Sequence, residues 1–273
     1  MWLIYIPLGF ALAYLGLVFA VSLGQTKLLF PTELAAANRP PSIGSGERLE
    51  LRTPDGSHLV GIRLGDENGG SRPLLLGFGG NAWNAEVMAA YLHNVFPNRE
   101  IIVFHYRGYP PSEGRPSAQA LLEDSVSIFD HIRQSQSQRP IVAVGFSLGS
   151  GVAAYLARHR PVAGMILVTP YDTLENLARE HFPWAPVSLL LRHRIATIDF
   201  VRSGSTPTAL IAAENDTIVP ARRSDPLKRA IPNLVFGETI AQVGHNDLYH
   251  APAFIGAMRE ALLRIEKASG NTP

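Results

Sequence analysis

The chain has 273 residues, of which 46% are hydrophobic and 17% are charged, and its formal net charge is +1. A chain of this length and apolar content is long enough to bury one large core and is too apolar to be disordered. It contains no long run of Lys or Arg, and phosphate binding needs clustered basic side chains, so nucleic acid is excluded as a partner. Cysteine is absent, which excludes disulfides, thiolate nucleophiles and cysteine-based metal sites.

The first segment, residues 1–24, carries no charged side chain and is mostly Leu, Ile, Val, Phe and Ala. Its length matches the hydrocarbon core of a bilayer, so it predicts a single-pass membrane anchor. The alternatives are a cleaved signal peptide, which usually begins with Lys or Arg and has a shorter apolar run, and a buried core helix. Basic residues follow the segment and none precedes it, which favours a cytoplasmic location for the rest of the chain. These residues are Lys27, Arg39 and Arg48.

Residues 25–46 follow the anchor and are rich in turn-forming residues. This composition predicts either a linker or an ordered segment that lies on the surface of the domain. The domain itself is predicted to occupy residues 47–273. The turn-forming residues are Pro31, Pro40, Pro41, Gly44 and Gly46.

The domain begins with a hairpin pattern and continues with an alternation of short apolar runs and helical segments. Residues 48–53 and 58–64 alternate in polarity on either side of Pro54-Asp55-Gly56, which predicts two antiparallel strands joined by a tight turn. The alternation that follows predicts an α/β fold with a mainly parallel sheet flanked by helices. The further strands are expected at 73–77, 101–105, 141–145, 164–169, 208–213 and 234–237, and the main helices at 85–95, 117–134, 148–158 and 253–267.

Residues 180–202 interrupt this rhythm at a position where a lid could be inserted. Phe182, Trp184 and Leu190 are its apolar candidates for substrate contact. Apolar lid residues are about as often part of the core, so this assignment is the least specific one in the chain.

The motif Gly145-Phe146-Ser147-Leu148-Gly149 follows an apolar strand and precedes a helical segment. A nucleophilic Ser needs this context, because the strained turn from strand to helix exposes its hydroxyl and Gly on either side avoids collisions. An incidental Ser in a Gly-rich turn is the alternative. The setting predicts that Ser147 is a nucleophile.

A Ser hydroxyl needs an imidazole base, and the base needs a carboxylate that orients it. Asp216 directly follows the strand predicted at 208–213, at the sheet edge where ligand sites lie. Glu214 and Asp172 are the competing carboxylates. His245 lies in a Gly-containing loop between the last strand and the last helix. We therefore predict Ser147, Asp216 and His245 as a catalytic triad.

The other histidines lack such a loop and are expected to be surface or packing residues. The tetrahedral intermediate of such a reaction also needs N–H donors. The loop after the first parallel strand, Gly77-Phe78-Gly79-Gly80-Asn81, is expected to supply one of them together with the N–H of Leu148. Gly80 and Asn81 are both candidates, with Asn81 favoured, and the glycines could instead serve only to form the turn.

Taken together, these motifs resemble those of the alpha/beta-hydrolase superfamily, and within it the membrane-anchored serine hydrolases that include bacterial ABHD-type proteins and palmitoyl-protein thioesterases. The resemblance covers nearly the whole chain and follows the order nucleophile, acid, histidine. Two features depart from the pattern, namely His105 before Tyr106-Arg107-Gly108 and the pair Pro110-Pro111. Both are expected to change loop shape rather than the triad, and Arg107 is expected to be a structural hydrogen-bond donor.

The resemblance implies hydrolysis of a carboxylic ester or thioester through an acyl-enzyme, with no cofactor and no metal. The expected partners are a small-molecule or acylated substrate and the membrane, through the N-terminal helix. A serine aminopeptidase or amidase is an alternative, because the same triad cleaves amides. A non-catalytic binding scaffold is another, because a fold does not guarantee chemistry.

Overall fold

The computed structural model of the protein describes residues 2–37, 46–65, 72–135 and 139–270. Its helices are α1 (Trp2–Leu29), α2 (Thr32–Ala37), α3 (Ala85–Val95), α4 (Ala118–Ser135), α5 (Leu148–His159), α6 (Leu174–His181), α7 (Val187–Leu190), α8 (Thr197–Arg202), α9 (Ala221–Ala230) and α10 (Pro252–Ala268). Its strands are β1 (Glu47–Arg52), β2 (His58–Leu64), β3 (Leu74–Phe78), β4 (Ile101–Phe104), β5 (Ile141–Phe146), β6 (Gly164–Val168), β7 (Thr208–Ala213) and β8 (Leu234–Ile240). A 3₁₀ turn, Asp247–His250, precedes α10.

Within the described residues the strands form one eight-stranded sheet in the order β1-β2-β4-β3-β5-β6-β7-β8. Strand β2 pairs antiparallel with both β1 and β4, and every pairing from β4 to β8 is parallel. The carboxyl ends of the parallel strands therefore share one edge, which is where ligand sites form in such sheets.

The sheet is covered by helices on both faces. Successive side chains of a strand point to opposite faces, so Leu74 and Leu76 enter one core while Leu75 enters the other. The first core contains residues of α4, α5, α8 and α9, and the second contains residues of α3 and α10. The predicted α/β architecture is confirmed.

The N-terminal helix α1 continues past Gly24 to Leu29, so the predicted boundary between anchor and linker lies inside a helix. In the segment predicted as a linker, Phe30 is buried and residues Thr32–Ala37 form α2. Of the two alternatives for residues 25–46, a linker or an ordered surface segment, the second therefore describes the residues up to Ala37. Arg39, Pro40, Pro41 and Gly44 lie outside the described residues.

Helix α1 is long and apolar enough, by length and composition, to cross a membrane. Its large side chains are mostly exposed, among them Tyr5, Phe10 and Phe19. A core helix of a soluble domain buries such side chains. Their exposure therefore argues against the alternative that this segment is a buried core helix.

The segment predicted as a lid, residues 180–202, does not form one unit in the structure. Helix α6 leads into it and α7 lies within it, whereas α8 packs on the core because Thr197 and Val201 are buried there. The name lid is used below for residues 174–193, which precede this core helix.

Candidate active site

Ser147 occupies the sharp turn between β5 and α5. Its backbone has φ 49° and ψ −114°, a conformation that L-residues rarely adopt. The turn is held from both sides, since the Ser147 N–H donates to the carbonyl of Val168 at 2.9 Å and the Ser150 hydroxyl donates to the carbonyl of Ser147 at 2.6 Å. The strain is thus maintained by the surrounding structure, as is common at functional sites.

Gly145 and Gly149 make this turn sterically possible. A Cβ atom at Gly145 would lie 2.3 Å from the carbonyl oxygen of Gly149, and one at Gly149 would lie 2.1 Å from the carbonyl oxygen of Phe78. Both distances are far below van der Waals contact with backbone atoms, which cannot move aside. The two glycines are therefore required by the close approach of α5 to β3 and β5.

Asp216 lies in the loop after β7 and its side chain is almost completely buried. Its Oδ1 atom accepts hydrogen bonds from the backbone N–H groups of Ile218, at 2.9 Å, and Val219, at 2.6 Å. These donors satisfy one carboxylate oxygen and fix the plane of the group, which leaves Oδ2 to a single partner.

That partner is His245, whose Nδ1 atom lies 2.7 Å from Oδ2 of Asp216. A carboxylate only accepts hydrogen bonds, so Nδ1 carries the proton and Nε2 is left as the basic nitrogen. The competing acids are engaged elsewhere. Asp172 accepts from Asn176 and Arg223, and Glu214 accepts from the N–H of Gln242.

Ser147 and His245 line the same cavity, whose volume is about 1050 Å³. Gly80, Asn81 and Leu148 also line it. A Cβ atom built at Gly80 would lie 3.7 Å from Cβ of Ser147, so this loop passes directly beside the nucleophile. Leu148 is the first residue of α5, and its backbone N–H belongs to the positive end of that helix.

The loop that carries Gly80 is fixed by two tyrosines of the segment after β4. The Tyr106 hydroxyl donates to the carbonyl of Gly79 at 2.8 Å, and the Tyr109 hydroxyl donates to the carbonyl of Asn81 at 2.6 Å. Burial raises the pKa of both tyrosines, so both remain protonated donors at neutral pH.

One wall of the cavity is aromatic and was not predicted from the sequence. Trp83, Tyr91 and Tyr249 line it and pack around Phe146, with the Trp83 and Phe146 ring centroids 5.1 Å apart and nearly perpendicular. Tyr249 is buried, which raises the pKa of its hydroxyl. These residues come from separate segments, so no local pattern marks them as one surface.

The opposite wall is formed by the lid and by α1. Of the three apolar candidates in this segment, Phe182 and Leu190 line the cavity, whereas Trp184 is exposed and lies outside the lining. Residues of α1 and three further histidines were not predicted at the site. They are Val18, Val21, Ser22, Gln25, Leu28 and Leu29, together with His181, His193 and His250.

One feature of the sequence could have indicated that the end of α1 contacts the rest of the protein, namely its polar side chains. Ser22, Gln25 and Thr26 stand at helical spacing on the last turns of a mostly apolar helix, and such residues need partners. The described part of the chain contains no group of three or more His, Asp or Glu side chains arranged like metal ligands.

Comparison with known proteins gives the family. Residues 74–194 match the family model described as the alpha/beta hydrolase fold. An uncharacterised protein of Mycobacterium tuberculosis is 31% identical over 243 residues, which cover 87% of this chain and 86% of that protein. The chain belongs to the alpha/beta-hydrolase superfamily. Membership of this superfamily, together with its named relatives, supports a hydrolase.

Among the alpha/beta-hydrolase relatives with assigned names is the lysophosphatidylserine lipase ABHD12 of Danio rerio. It is 30% identical over 142 residues, which cover 44% of this chain and 36% of the lipase. An esterase of Pyrococcus furiosus superposes with a TM-score of 0.64 at 17% identity, covering 84% of this chain and 97% of the esterase. At this identity the esterase supports the fold alone.

Proposed function

We propose that this hydrolase cleaves a carboxylic ester or thioester through an acyl-enzyme formed on Ser147. The observation that carries the proposal is the buried Asp216–His245 hydrogen bond of 2.7 Å beside the cavity that Ser147 also lines. A nucleophile on a strained turn, a base with a fixed tautomer and a carboxylate that fixes it are the three groups that acyl transfer requires.

In the proposed reaction, Nε2 of His245 takes the proton of the Ser147 hydroxyl as Oγ attacks the substrate carbonyl carbon. Asp216 holds the imidazole in place and stabilises its positive charge. The intermediate then collapses, His245 gives the proton to the leaving alcohol or thiol, and the acyl group stays on Ser147. Water, deprotonated by His245, attacks this ester. As the bond between the acyl carbon and Oγ breaks, His245 returns the proton to Oγ of Ser147 and the carboxylic acid is released.

The negative charge of the intermediate needs donors beside Ser147. We assign one to the backbone N–H of Leu148, where the dipole of α5 favours an anion. Gly80 and Asn81 are the candidates for the second donor, and the position of Gly80 beside Ser147 supports this loop. The hydrogen bonds from Tyr106 and Tyr109 keep the loop in a fixed position, which is the property that this form of catalysis depends on.

The substrate is proposed to carry a lipophilic acyl group. Beyond the polar residues near Ser147, the cavity is lined mostly by aliphatic and aromatic side chains such as Phe182, Leu190 and Val21. Its volume of about 1050 Å³ is slightly above the range of about 300–1000 Å³ that is usual for small-molecule sites. The name of the lipase relative, which acts on lysophosphatidylserine, supports an acyl ester of this kind.

We also propose that α1 anchors the protein in a membrane. Its exposed apolar side chains have no partner within the described chain and are suited to lipid. The basic residues that follow favour a catalytic domain on the cytoplasmic side. Recovery of the full chain in the membrane fraction after carbonate washing supports the anchor, and recovery in the supernatant contradicts it.

The test of the reaction uses the full chain with matched ester, thioester and amide substrates that share one octanoyl group. We expect turnover of the ester and thioester, and loss of both in Ser147→Ala at unchanged thermal stability. Preferred cleavage of the amide favours the amidase alternative. Absence of turnover on all three, without labelling of Ser147, favours the binding scaffold.

A further inference from the structure

Hydrogen bonds attach the lid to α1 at several points along the helix. The Tyr14 hydroxyl donates to the carbonyl of Trp184 at 2.9 Å. Nearer the end of the helix, the Gln25 amide donates to the carbonyl of Leu190 at 3.1 Å and accepts from the N–H of Arg192 at 2.8 Å. Between Tyr14 and Gln25 the helix rises ~16 Å. The lid thus runs alongside the helix instead of meeting it at one point.

Further contacts strengthen the end of this junction. The Arg192 guanidinium donates to the carbonyl of Ser22 at 2.6 Å. Thr26 Oγ1 lies 2.8 Å from Nε2 of His193, whose ring packs edge-on against Phe30 at 5.1 Å between centroids. The helix and the lid are therefore one structural unit around the cavity.

The polarity of α1 indicates where the membrane surface lies along this unit. No side chain before Ser22 is charged, whereas Ser22, Gln25 and Lys27 are polar or basic. The surface of the hydrocarbon core is accordingly near Ser22. Tyr14 lies ~12 Å deeper along the axis, and the Trp184 carbonyl that it contacts lies at the same depth.

The lid has the surface that this depth requires. Leu189 is 81% exposed and Trp184 is 39% exposed. Of the charged side chains in the lid, Arg192 lies at the shallow end, because its guanidinium contacts the carbonyl of Ser22. Arg194 follows the lid, where it pairs with Glu175 and donates to the carbonyl of Ser188. Exposed apolar side chains that lie deeper in the membrane than basic side chains match the boundary between acyl chains and headgroups.

The cavity reaches this boundary. Val18, Val21, Leu28 and Leu29 of α1 line it together with Leu190 of the lid. A helix that only anchored the protein would have no side chain in the active-site cavity.

We infer that the lid segment Trp184–Leu190 is immersed in the adjacent lipid leaflet beside α1, and that the cavity, with α1 as its wall, receives the acyl chain of a membrane lipid directly from the bilayer. This inference rests on the proposed anchor and ester hydrolysis. Under it, α1 is part of the binding site and sets the acyl-chain preference.

The chain lacks cysteine, so single cysteines can be introduced into the full protein and labelled with an environment-sensitive fluorophore. The protein is reconstituted in phosphatidylcholine vesicles that contain lipids with a nitroxide on the acyl chain. Phe10→Cys reports on the anchor, and Trp184→Cys and Leu189→Cys report on the lid. Leu263→Cys, an exposed apolar position on α10, is the matched control.

We expect the nitroxides to quench the labels at Phe10, Trp184 and Leu189, and to leave the label at Leu263 unaffected. Quenching at Phe10 alone overturns the immersion of the lid and leaves the anchor in place. No quenching at Phe10 overturns the anchor as well. None of these outcomes depends on turnover, so they are distinct from a failure of the proposed chemistry.

The wall is tested with Val21→Trp, and Leu23→Trp is its control because Leu23 is exposed and lies outside the lining. We expect Val21→Trp to lower the ratio of kcat/KM for a palmitoyl ester to kcat/KM for a butyryl ester by at least ~10-fold, because the larger side chain removes the space for several buried methylenes of the longer acyl group. Leu23→Trp should match the wild type on both. Equal chain-length profiles in the two variants overturn the role of α1 as a wall.

Discussion

Nδ1 of His245 and Oδ2 of Asp216 lie 2.7 Å apart, and both side chains are almost wholly buried. The two residues follow β8 and β7, which are neighbours in the sheet, so the sheet itself brings their loops together. Two backbone N–H groups hold the other oxygen of Asp216. The pair is therefore set by the fold before any substrate binds, which is what preorganised acyl transfer requires.

Asp216→Asn tests the role of the carboxylate. The amide oxygen can keep the two backbone hydrogen bonds, but the amide NH₂ then faces Nδ1 and favours the wrong imidazole tautomer. We expect kcat for ester hydrolysis to fall by about 10⁴-fold, as for the corresponding change in serine proteases. The control is Glu214→Gln in the same loop, which should keep kcat. If the Glu214 variant loses activity and the Asp216 variant does not, the acid is misassigned.

Gly149→Ala tests the geometry of the turn. The added Cβ would lie 2.1 Å from the carbonyl oxygen of Phe78, so we expect a loss of about 1–3 kcal/mol in the free energy of unfolding. Gly256→Ala is the matched control, because it lies inside α10 with open space around it. That change should stabilise the protein by about 0.5–1 kcal/mol. Urea unfolding measures both, and equal effects contradict the steric argument.

Arg107 is held by a buried carboxylate as a structural residue. Its Nε and one Nη donate to the two oxygens of Asp124 at 3.0 and 2.5 Å. Arg107→Ala leaves the buried Asp124 without this partner, and we expect a loss of about 3–5 kcal/mol in the free energy of unfolding. Removing both partners should cost much less than the sum of the single changes. Additive losses in this double-mutant cycle contradict the pairing.

His105 makes stability depend on pH. Burial, together with the positive charge of Arg48, lowers its pKa to about 4, while Glu86 lies 3.9 Å away. The unfolded chain, with a histidine pKa near 6.5, binds the proton first as pH falls, so the folded state loses stability between about pH 6.5 and pH 4.

We expect His105→Gln to remove about 2 kcal/mol of the stability difference between pH 7.5 and pH 5. Urea unfolding at the two pH values measures this difference. His159→Gln, at an exposed position, is the control and should leave the difference as in the wild type. A His105 variant with the wild-type difference contradicts burial as the cause.

Most of the fold could be predicted from local sequence patterns. Strand β2 and helix α3 have the bounds predicted from alternation and from three- and four-residue spacing, because both patterns come from residues close together in the chain. The positions of Ser147, Asp216 and His245 in loops were predictable for the same reason, since each follows a recognisable strand.

The cavity walls were not predictable from local patterns. Gln25 and Leu190 meet across 165 positions of the chain, and nothing near either residue specifies the other. The inclusion of α8 in the predicted lid segment has a related cause, since the burial of Thr197 depends on a tertiary contact. Trp184 was predicted as an apolar candidate for substrate contact, whereas in the structure its side chain is exposed and its carbonyl accepts from the Tyr14 hydroxyl.

The most direct test of the central claim is reaction of the full chain with a fluorophosphonate, followed by mass spectrometry of its peptides. An activated Ser attacks this reagent as it would attack an ester, and an ordinary Ser hydroxyl does not. We predict a single adduct on Ser147 that is absent in Ser147→Ala and strongly reduced in His245→Ala. An adduct on another residue, or an unmodified chain under conditions that label a known serine esterase, would contradict the account.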